Sequence, residues 1–161
     1  EMMTITPDMI LAALHQKLEE TFPGEPVYDN LTPRGFQRPS NLLELERTDL
    51  DPQSLGMAAV SLRYQYKITT FVKTDEVHAS HLPTLDIRGM MILGMLGSGY
   101  VKVGDRALKV AACWADSGMF DAVEVHLTLS LTVDRADFQP AELLPIMQDL
   151  STKTITSEEE L

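Results

Sequence analysis

The chain of 161 residues has the size of one domain, and its 44% of hydrophobic residues argues against an intrinsically disordered protein. Its 13 basic and 24 acidic residues give a net charge of −11, which repels phosphate backbones and argues against ordinary nucleic-acid binding. The sequence has no apolar run near the ~18 residues of a membrane span. We expect a single α+β domain over residues 1–150, followed by a polar, acidic tail over residues 151–161.

The first predicted elements are a helix and two strands. Thr6, Pro7 and Asp8 are typical of a helix start, because a hydroxyl caps the helix, proline suits its first position and a carboxylate lies near its positive end. An apolar stripe follows at helical spacing, formed by Ile10, Leu11, Leu14 and Leu18. The sequence then predicts a short strand, a loop and a strand with a mixed face, at residues 26–29, 31–39 and 40–50.

Two long strands carry the clearest periodicity. Residues 57–72 alternate between an apolar side, Val60, Leu62, Tyr64, Tyr66, Ile68 and Val72, and a polar side, Ser61, Arg63, Gln65, Lys67 and Thr69. The last strand, opened by Phe120, alternates in the same way, with apolar residues at Val123, Val125, Leu127, Leu129, Leu131 and Val133. This period of two predicts that one face of the sheet is much wetter than the other.

A helix and a hairpin are expected between these strands. After a polar loop at 73–80, residues 82–96 predict a helix whose stripe is Leu82, Leu85, Ile92, Leu93 and Leu96, broadened by Met90, Met91 and Met95. A hairpin over 100–115 turns at Gly104-Asp105, and a short helix is expected at 140–150. The order predicts a mixed, mostly antiparallel sheet with helices packed on one face. A polar face and two edges remain uncovered, which an oligomer can pair or cover.

The candidate chemical residues do not form a convincing active site. His78 and His81 have a spacing that could place two imidazoles together, but zinc needs three or four protein ligands and no third is evident. Glu44 and Glu46 share a strand face, and nothing in the sequence separates their pKa values as an acid and base would require. Cys113 lacks a basic partner, so it is expected to be a small, buried or half-buried residue. We therefore predict no catalytic residue, no bound metal and no cofactor.

Several short segments carry a family resemblance. An N-terminal amphipathic helix ends in "FPGEPVY", "GFQRPS" leads into a strand, and "VSLRYQYKITTFV" forms a long strand. A single helix, the "YVKVGDRALKV" hairpin and a final alternating strand follow. Over residues 5–134 this order resembles the tail terminator (tail completion) proteins of long-tailed bacteriophages and prophages, particularly those of Gram-positive bacteria.

The resemblance implies a structural protein and not an enzyme. Members form a ring, commonly hexameric, that caps the tail tube, stops its polymerisation and joins it to the head. The implied partners are further copies of the chain, the tail tube protein and a head-completion protein, in the virion tail and, during assembly, in the host cytoplasm. DNA would pass through the ring without being bound, and no membrane is involved. Two alternatives remain open: a small metal-dependent hydrolase using His78 and His81, and a monomeric module that binds a ligand or peptide.

The segment from Gly35 to Pro39 is interpreted mainly as an architectural entry into the sheet. Gly35 permits a sharp bend, and Pro39 favours extended geometry at Arg38. Phe36 is expected to anchor the loop on the core, while Arg38 stays exposed and pairs with an acidic group on a neighbouring subunit. The candidate interface residues are Phe36, Arg38, Arg63 and Lys67. The candidate carboxylates of an acidic ring lumen are Asp49, Asp51, Asp75, Glu76 and Asp86.

Overall fold

The computed structural model describes residues 5–51, 56, 58–73, 82–116 and 121–135. In chain order its elements are α1 (Pro7–Thr21), β1 (Val27–Asp29), β2 (Ser40–Leu50), β3 (Ala59–Phe71), α2 (Leu82–Met95), β4 (Tyr100–Val103), β5 (Arg106–Asp116) and β6 (Ala122–Asp134). The α+β class and the mostly antiparallel sheet are confirmed. Phe120, the predicted helix at 140–150 and the tail at 151–161 lie outside the described residues, as does most of the loop at 73–80.

Helix α1 begins and ends where its sequence signals predict. The Thr6 side chain accepts a hydrogen bond from the backbone N–H of Met9 at 3.4 Å, and proline occupies the first turn. Ile10, Leu14 and Leu18 are fully buried, whereas the predicted stripe residue Leu11 is half-buried. The helix therefore buries a narrow stripe, consistent with packing on one side of the sheet.

The six strands form one sheet in the order β1-β2-β3-β6-β5-β4. Its centre is the antiparallel pair of β3 and β6, which stay in register from Ala59 opposite Asp134 to Phe71 opposite Ala122. At one edge, β1 pairs in parallel with β2, which makes the sheet mixed. Bulges interrupt β2 between Leu45 and Arg47 and β5 between Val110 and Ala112.

One face of the sheet and the two helices enclose the core. The inward residues of β3 and β6 match the predicted alternation, and Tyr66, Ile68, Val125 and Leu129 have no exposed surface. The Tyr66 hydroxyl donates a hydrogen bond to the carbonyl of Pro7 at 2.9 Å, which joins β3 to the start of α1. Burying each such apolar side chain stabilises the fold by about 1.5–3 kcal/mol before entropy is counted.

Helix α2 packs on the same face, with an orientation that differs from the predicted one. Leu85 and Ile92 are buried as expected, but Met90 and Met91 are 70% and 40% exposed, so their assignment to the buried stripe is wrong. Gly89 explains the difference: a Cβ at this position would lie 3.3 Å from Cγ1 of Val123. This close approach turns the glycine toward the sheet and both methionines toward solvent.

Candidate functional site

The face of the sheet opposite the helices carries a row of charged and aromatic side chains across four strands. Glu44 of β2 lies opposite Lys67 of β3, Lys67 opposite His126 of β6, and His126 opposite Trp114 of β5. Both described helices pack on the other face, so we call the surface formed by this row and its neighbours the open face. In β3 and β6 the strict alternation of the sequence determines which side chains reach this face, whereas in β2 and β5 a bulge changes the register.

Lys67 lies at the centre of the open face between carboxylates. Its Nζ is 3.4 Å from Oε2 of Glu44 and 3.8 Å from Oε1 of Glu124. Burial by itself would lower the pKa of the Lys67 ammonium, but the neighbouring carboxylates outweigh burial, and the pKa is raised. The lysine is therefore firmly charged, and it holds together side chains from three adjacent strands.

His126 joins the charged part of the row to its aromatic part. Its imidazole stacks on the indole of Trp114, with centroids 4.1 Å apart and planes 17° from parallel. Its Nε2 lies 3.5 Å from Oε2 of Glu124 and its Nδ1 lies 3.7 Å from Oε2 of Glu46. The tryptophan stack was not predictable from the sequence, because the β5–β6 register depends on the bulge near Val110.

The lower end of the open face contains two further ion pairs. Arg63 contacts Asp51 at 2.9 Å, and Arg47 contacts Asp49 at 2.8 Å. Two of the candidate lumen carboxylates are thus neutralised within the chain. Asp86 is exposed on α2, on the other side of the sheet, whereas Asp75 and Glu76 lie outside the described residues. The described candidates therefore do not lie on one common surface.

The Gly35–Pro39 loop closes over the upper end of the open face. Gly35 adopts a φ of 71°, as its predicted bend requires, and the Arg38–Pro39 peptide is cis. The Phe36 ring lies 4.8 Å from Phe71 and 6.2 Å from Tyr28, and the backbone N–H of Gln37 donates to the Tyr28 hydroxyl at 3.1 Å. The expectation that Phe36 anchors the loop on the core is wrong, since its aromatic partners lie outside the buried core cluster.

Arg38 has its acidic partner within its own chain. Its guanidinium contacts Asp121 at 2.7 Å and donates to the carbonyl of Val72 at 3.3 Å. It also lies over Phe36 and Phe71, 4.9 and 5.1 Å from the ring centroids. The expectation that Arg38 stays exposed is therefore wrong, whereas its place at an interface between subunits stays a prediction. Asp121 precedes the last strand, and only the tertiary fold brings it to this loop.

A second polar cluster, which the sequence did not predict, lies inside the helix layer. Arg88 of α2 is 6% exposed and forms a bidentate pair with Glu25, with N–O distances of 3.0 and 2.6 Å. Its Nε donates to Oγ1 of Thr70 at 2.7 Å, and its guanidinium lies 4.3 Å from the Phe22 ring centroid. The sequence signal that could have revealed the burial of Arg88 is its position, because it falls between Leu85 and Ile92 on the buried stripe.

Two clefts of about 420 and 370 Å³ flank Arg88. The first also contacts Pro39, Val72 and Thr84, and the second contacts Phe22 and Ile87. Because Glu25 already neutralises Arg88, its guanidinium supports the fold and does not offer a ready anion site. Close to this region in the sheet, the side chains of Ser40 and Asn41 are fully buried without a hydrogen-bond partner in the described structure.

His15 and Cys113 have contacts that support the fold and do not indicate a reactive site. His15 contacts Asp29 and Glu19, each at 2.9 Å. Burial would lower the pKa of His15, but the two carboxylates outweigh it and raise the pKa. Cys113 is half-buried, as predicted, and burial raises the pKa of its thiol, which disfavours the reactive thiolate.

The structure describes the candidate acid–base pair, Glu44 and Glu46, but not the candidate metal pair, His78 and His81. Glu44 and Glu46 both reach the open face, where Glu44 contacts Lys67 and Glu46 approaches His126. Glu44 is there the partner of an ammonium, and Glu46 lies beside an imidazole. His78 and His81 lie outside the described residues. Within the described ranges, no group of three or more histidine, cysteine, aspartate or glutamate side chains is placed to hold a metal ion.

Among the described helices, none is long and apolar enough to cross a membrane.

Comparison with known proteins adds no family assignment. No protein-family model matches the chain, and no curated protein matches it.

Proposed function

We propose that this chain is a structural tail terminator of a bacteriophage or prophage, which forms a ring, commonly hexameric, on the head-proximal end of the tail tube. The resemblance of its sequence segments supports the proposal, as does the element order, from the N-terminal helix to the final long strand. In this role the ring stops polymerisation of the tube and presents a surface to the head-completion protein.

The observation that carries the proposal is the combination of a polar open face with strands β2 and β5, whose outer edges are only partly paired by the described residues. The open face is ordered by contacts such as those of Lys67 with Glu44 and Glu124, although the described helices cover only the other face. It also presents Trp114, which is 53% exposed. An exposed tryptophan is a common anchor of protein–protein contacts, and charged side chains such as those around it are typical of the rim of a contact surface.

The acidic balance fits a passage for DNA. A basic lumen would retain phosphates, with an affinity that grows with each neutralised contact, whereas net negative charge repels them. The described lumen candidates lie on both sides of the sheet, so the ring orientation decides whether Asp49 or Asp86 faces the channel. Wild-type protein is expected to show no DNA retention at low salt, where a basic site binds best. Tight DNA binding at low salt would contradict this role.

Electron microscopy of the purified full chain, alone and mixed with the tail tube protein of the same phage or prophage, tests the proposed function. We expect rings of uniform diameter, seated at one end of each tube. A control with bovine serum albumin at the same concentration should leave the tube ends bare. A protein that stays monomeric at high concentration and ignores tube ends would contradict the proposal and favour the monomeric binding module.

A further inference from the structure

Among the described residues, the C-terminal half of β5 has a neighbouring strand on one side only. Its N-terminal half pairs with β4 through residues 106–109, and the N–H of Val110 donates to the carbonyl of Gly99 at 2.8 Å. From Ala112 to Ala115, the strand pairs with β6, Ala111 is bulged, and no described residue pairs with the other side of this segment. Such an edge presents a row of free backbone donors and acceptors to a further strand.

Two features that oppose strand addition, a bulge between Val110 and Ala112 and the charged Asp116, lie at the ends of this edge. Ala111, Ala112, Trp114 and Ala115 are exposed, and Cys113 is half-buried. None of these five residues is charged or a proline, although lysine and proline are the residues that usually protect an edge. Between the bulge and Asp116 the edge is therefore apolar and exposed.

A second open edge lies at the opposite side of the sheet. Strand β1 pairs with β2 only along residues 41–43. From Glu44 to Leu50, β2 pairs with β3, and the described chain provides no partner on its outer side. Leu45 and Leu50 are 36% and 46% exposed there, on the face that the helices occupy. The segment also carries a bulge between Leu45 and Arg47 and the charged residues Glu44, Glu46, Arg47 and Asp49, so its apolar part is the pair of exposed leucines on the helix side of the sheet.

The two open edges are complementary in direction and in position. Strands β2 and β5 run in opposite directions, because β2, β3, β6 and β5 are joined by three antiparallel pairings. A second copy in the same orientation can therefore place its β2 antiparallel to β5. In both strands the open half is the C-terminal half, so β1 and β4 lie beyond opposite ends of the new pair and do not obstruct it.

We infer that the open half of β5 in one copy pairs antiparallel with the open half of β2 in the next copy, and that this strand addition is the contact between neighbouring subunits. The inference rests on the ring proposed above, because a ring is what closes the series of copies joined in this way. The contact is head-to-tail, since each copy uses two different edges, and such contacts form closed rings when the rotation between copies permits it. It joins the leucines of β2 to the apolar edge of β5.

Disulfide trapping in the full chain tests this contact, because Cys113 is the single native cysteine. Thr48 and the leucines at 45 and 50 lie on the same face of the sheet as Cys113. The three variants Leu45→Cys, Thr48→Cys and Leu50→Cys are oxidised separately at about pH 9, since burial disfavours the Cys113 thiolate. Cysteines opposite each other on antiparallel strands are within disulfide reach.

We expect at least one variant to give a ladder of disulfide-linked dimers, trimers and larger species on a non-reducing gel, with Cys113 joined to the introduced cysteine by mass spectrometry. Wild-type protein and the control Lys102→Cys, at an exposed position in β4, should stay monomeric on the same gel. Each introduced cysteine is at an exposed position, and circular dichroism checks that each variant remains folded.

The other outcomes overturn the inference in distinguishable ways. Rings without a ladder in any of the three variants would place the contact elsewhere while leaving the proposed function standing. Cys113–Cys113 dimers in wild-type rings would show symmetric pairing of two β5 edges. A cross-link from Cys113 to the tail tube protein would assign the edge to that partner. A ladder from copies that never cap tubes would support the strand contact and contradict the terminator function.

Discussion

The indole of Trp114 on β5 stacks on the imidazole of His126 on β6, with centroids 4.1 Å apart. This stack marks the end of the charged row on the open face, and it also lies on the strand whose outer edge is open. Trp114 is the single tryptophan of the chain, so its fluorescence reports on this part of the surface alone. The open face and the β5 edge can therefore be followed with one native probe.

We predict that the emission of Trp114 shifts to shorter wavelength as the protein assembles, because a neighbouring strand removes water from an indole that is 53% exposed in the single chain. The measurement is emission against protein concentration, with light scattering recorded on the same samples. The matched control carries Trp114→Phe and Met90→Trp, which moves the probe to an exposed position on α2. An unchanged Trp114 emission while scattering rises would contradict the prediction.

Replacing Lys67 by methionine should destabilise the open face. The change leaves the carboxylates of Glu44 and Glu124 without the ammonium that lies between them. We expect the free energy of unfolding to fall by about 1 kcal/mol at low salt, and by less at ~1 M salt, where the remaining repulsion is screened. Urea unfolding measures the loss, with Lys102→Met at an exposed site as control. A loss that salt leaves unchanged would show that the charges are not its cause.

Arg88→Met should be the most destabilising of the changes considered. Removing the guanidinium leaves Glu25 and Thr70 without their partner in a largely buried site. We expect a loss of about 2–4 kcal/mol in unfolding free energy, below the ~3–5 kcal/mol of a fully buried pair because Glu25 is partly exposed. The double variant Arg88→Met, Glu25→Gln should recover part of the loss. A loss under about 1 kcal/mol would contradict the assigned role of the pair.

Because its hydroxyl is buried, Tyr66 is expected to make the folded chain less stable at alkaline pH. Burial raises the pKa of its hydroxyl, so the folded chain keeps a proton that the unfolded chain releases near the ordinary value of about 10. Above that pH the unfolded state binds fewer protons than the folded state, and the free energy of unfolding falls as pH rises. Tyr66→Phe should reduce this slope, and it should cost about 0.5–1.5 kcal/mol at neutral pH through the lost hydrogen bond to Pro7.

Urea unfolding of both chains from about pH 8 to pH 11 measures the Tyr66 effect. Tyr100→Phe, at an exposed tyrosine on β4, is the matched control and should leave the slope as it is in the wild type. Equal slopes for wild type and Tyr66→Phe would contradict a titration of Tyr66 coupled to unfolding.

Local patterns were sufficient to predict most of the fold. The bounds of β2 agree with its predicted range, and the cap at Thr6 correctly marks the start of α1. The strict alternation in β3 and β6 predicted both faces of the sheet. These features depend on neighbouring residues in the chain, so periodicity and capping are enough to reveal them.

Features that depend on tertiary partners were not predictable from the sequence. The pairing of Arg88 with Glu25 joins α2 to the segment between α1 and β1, and the pairing of Arg38 with Asp121 joins two distant loops. The exposure of Met90 follows from the fit of Gly89 against Val123. None of these contacts leaves a periodic signal, because each depends on how separate elements meet in space.

The most direct test of the terminator role is the length of tail tubes grown in vitro. Tube protein is allowed to polymerise with increasing amounts of the full chain, and tube lengths are measured by electron microscopy. The proposed function predicts that growth stops at an amount far below one copy per tube subunit, with a ring on the end of each arrested tube. Tubes that continue to grow at the same rate, with bare ends at every ratio, would contradict it.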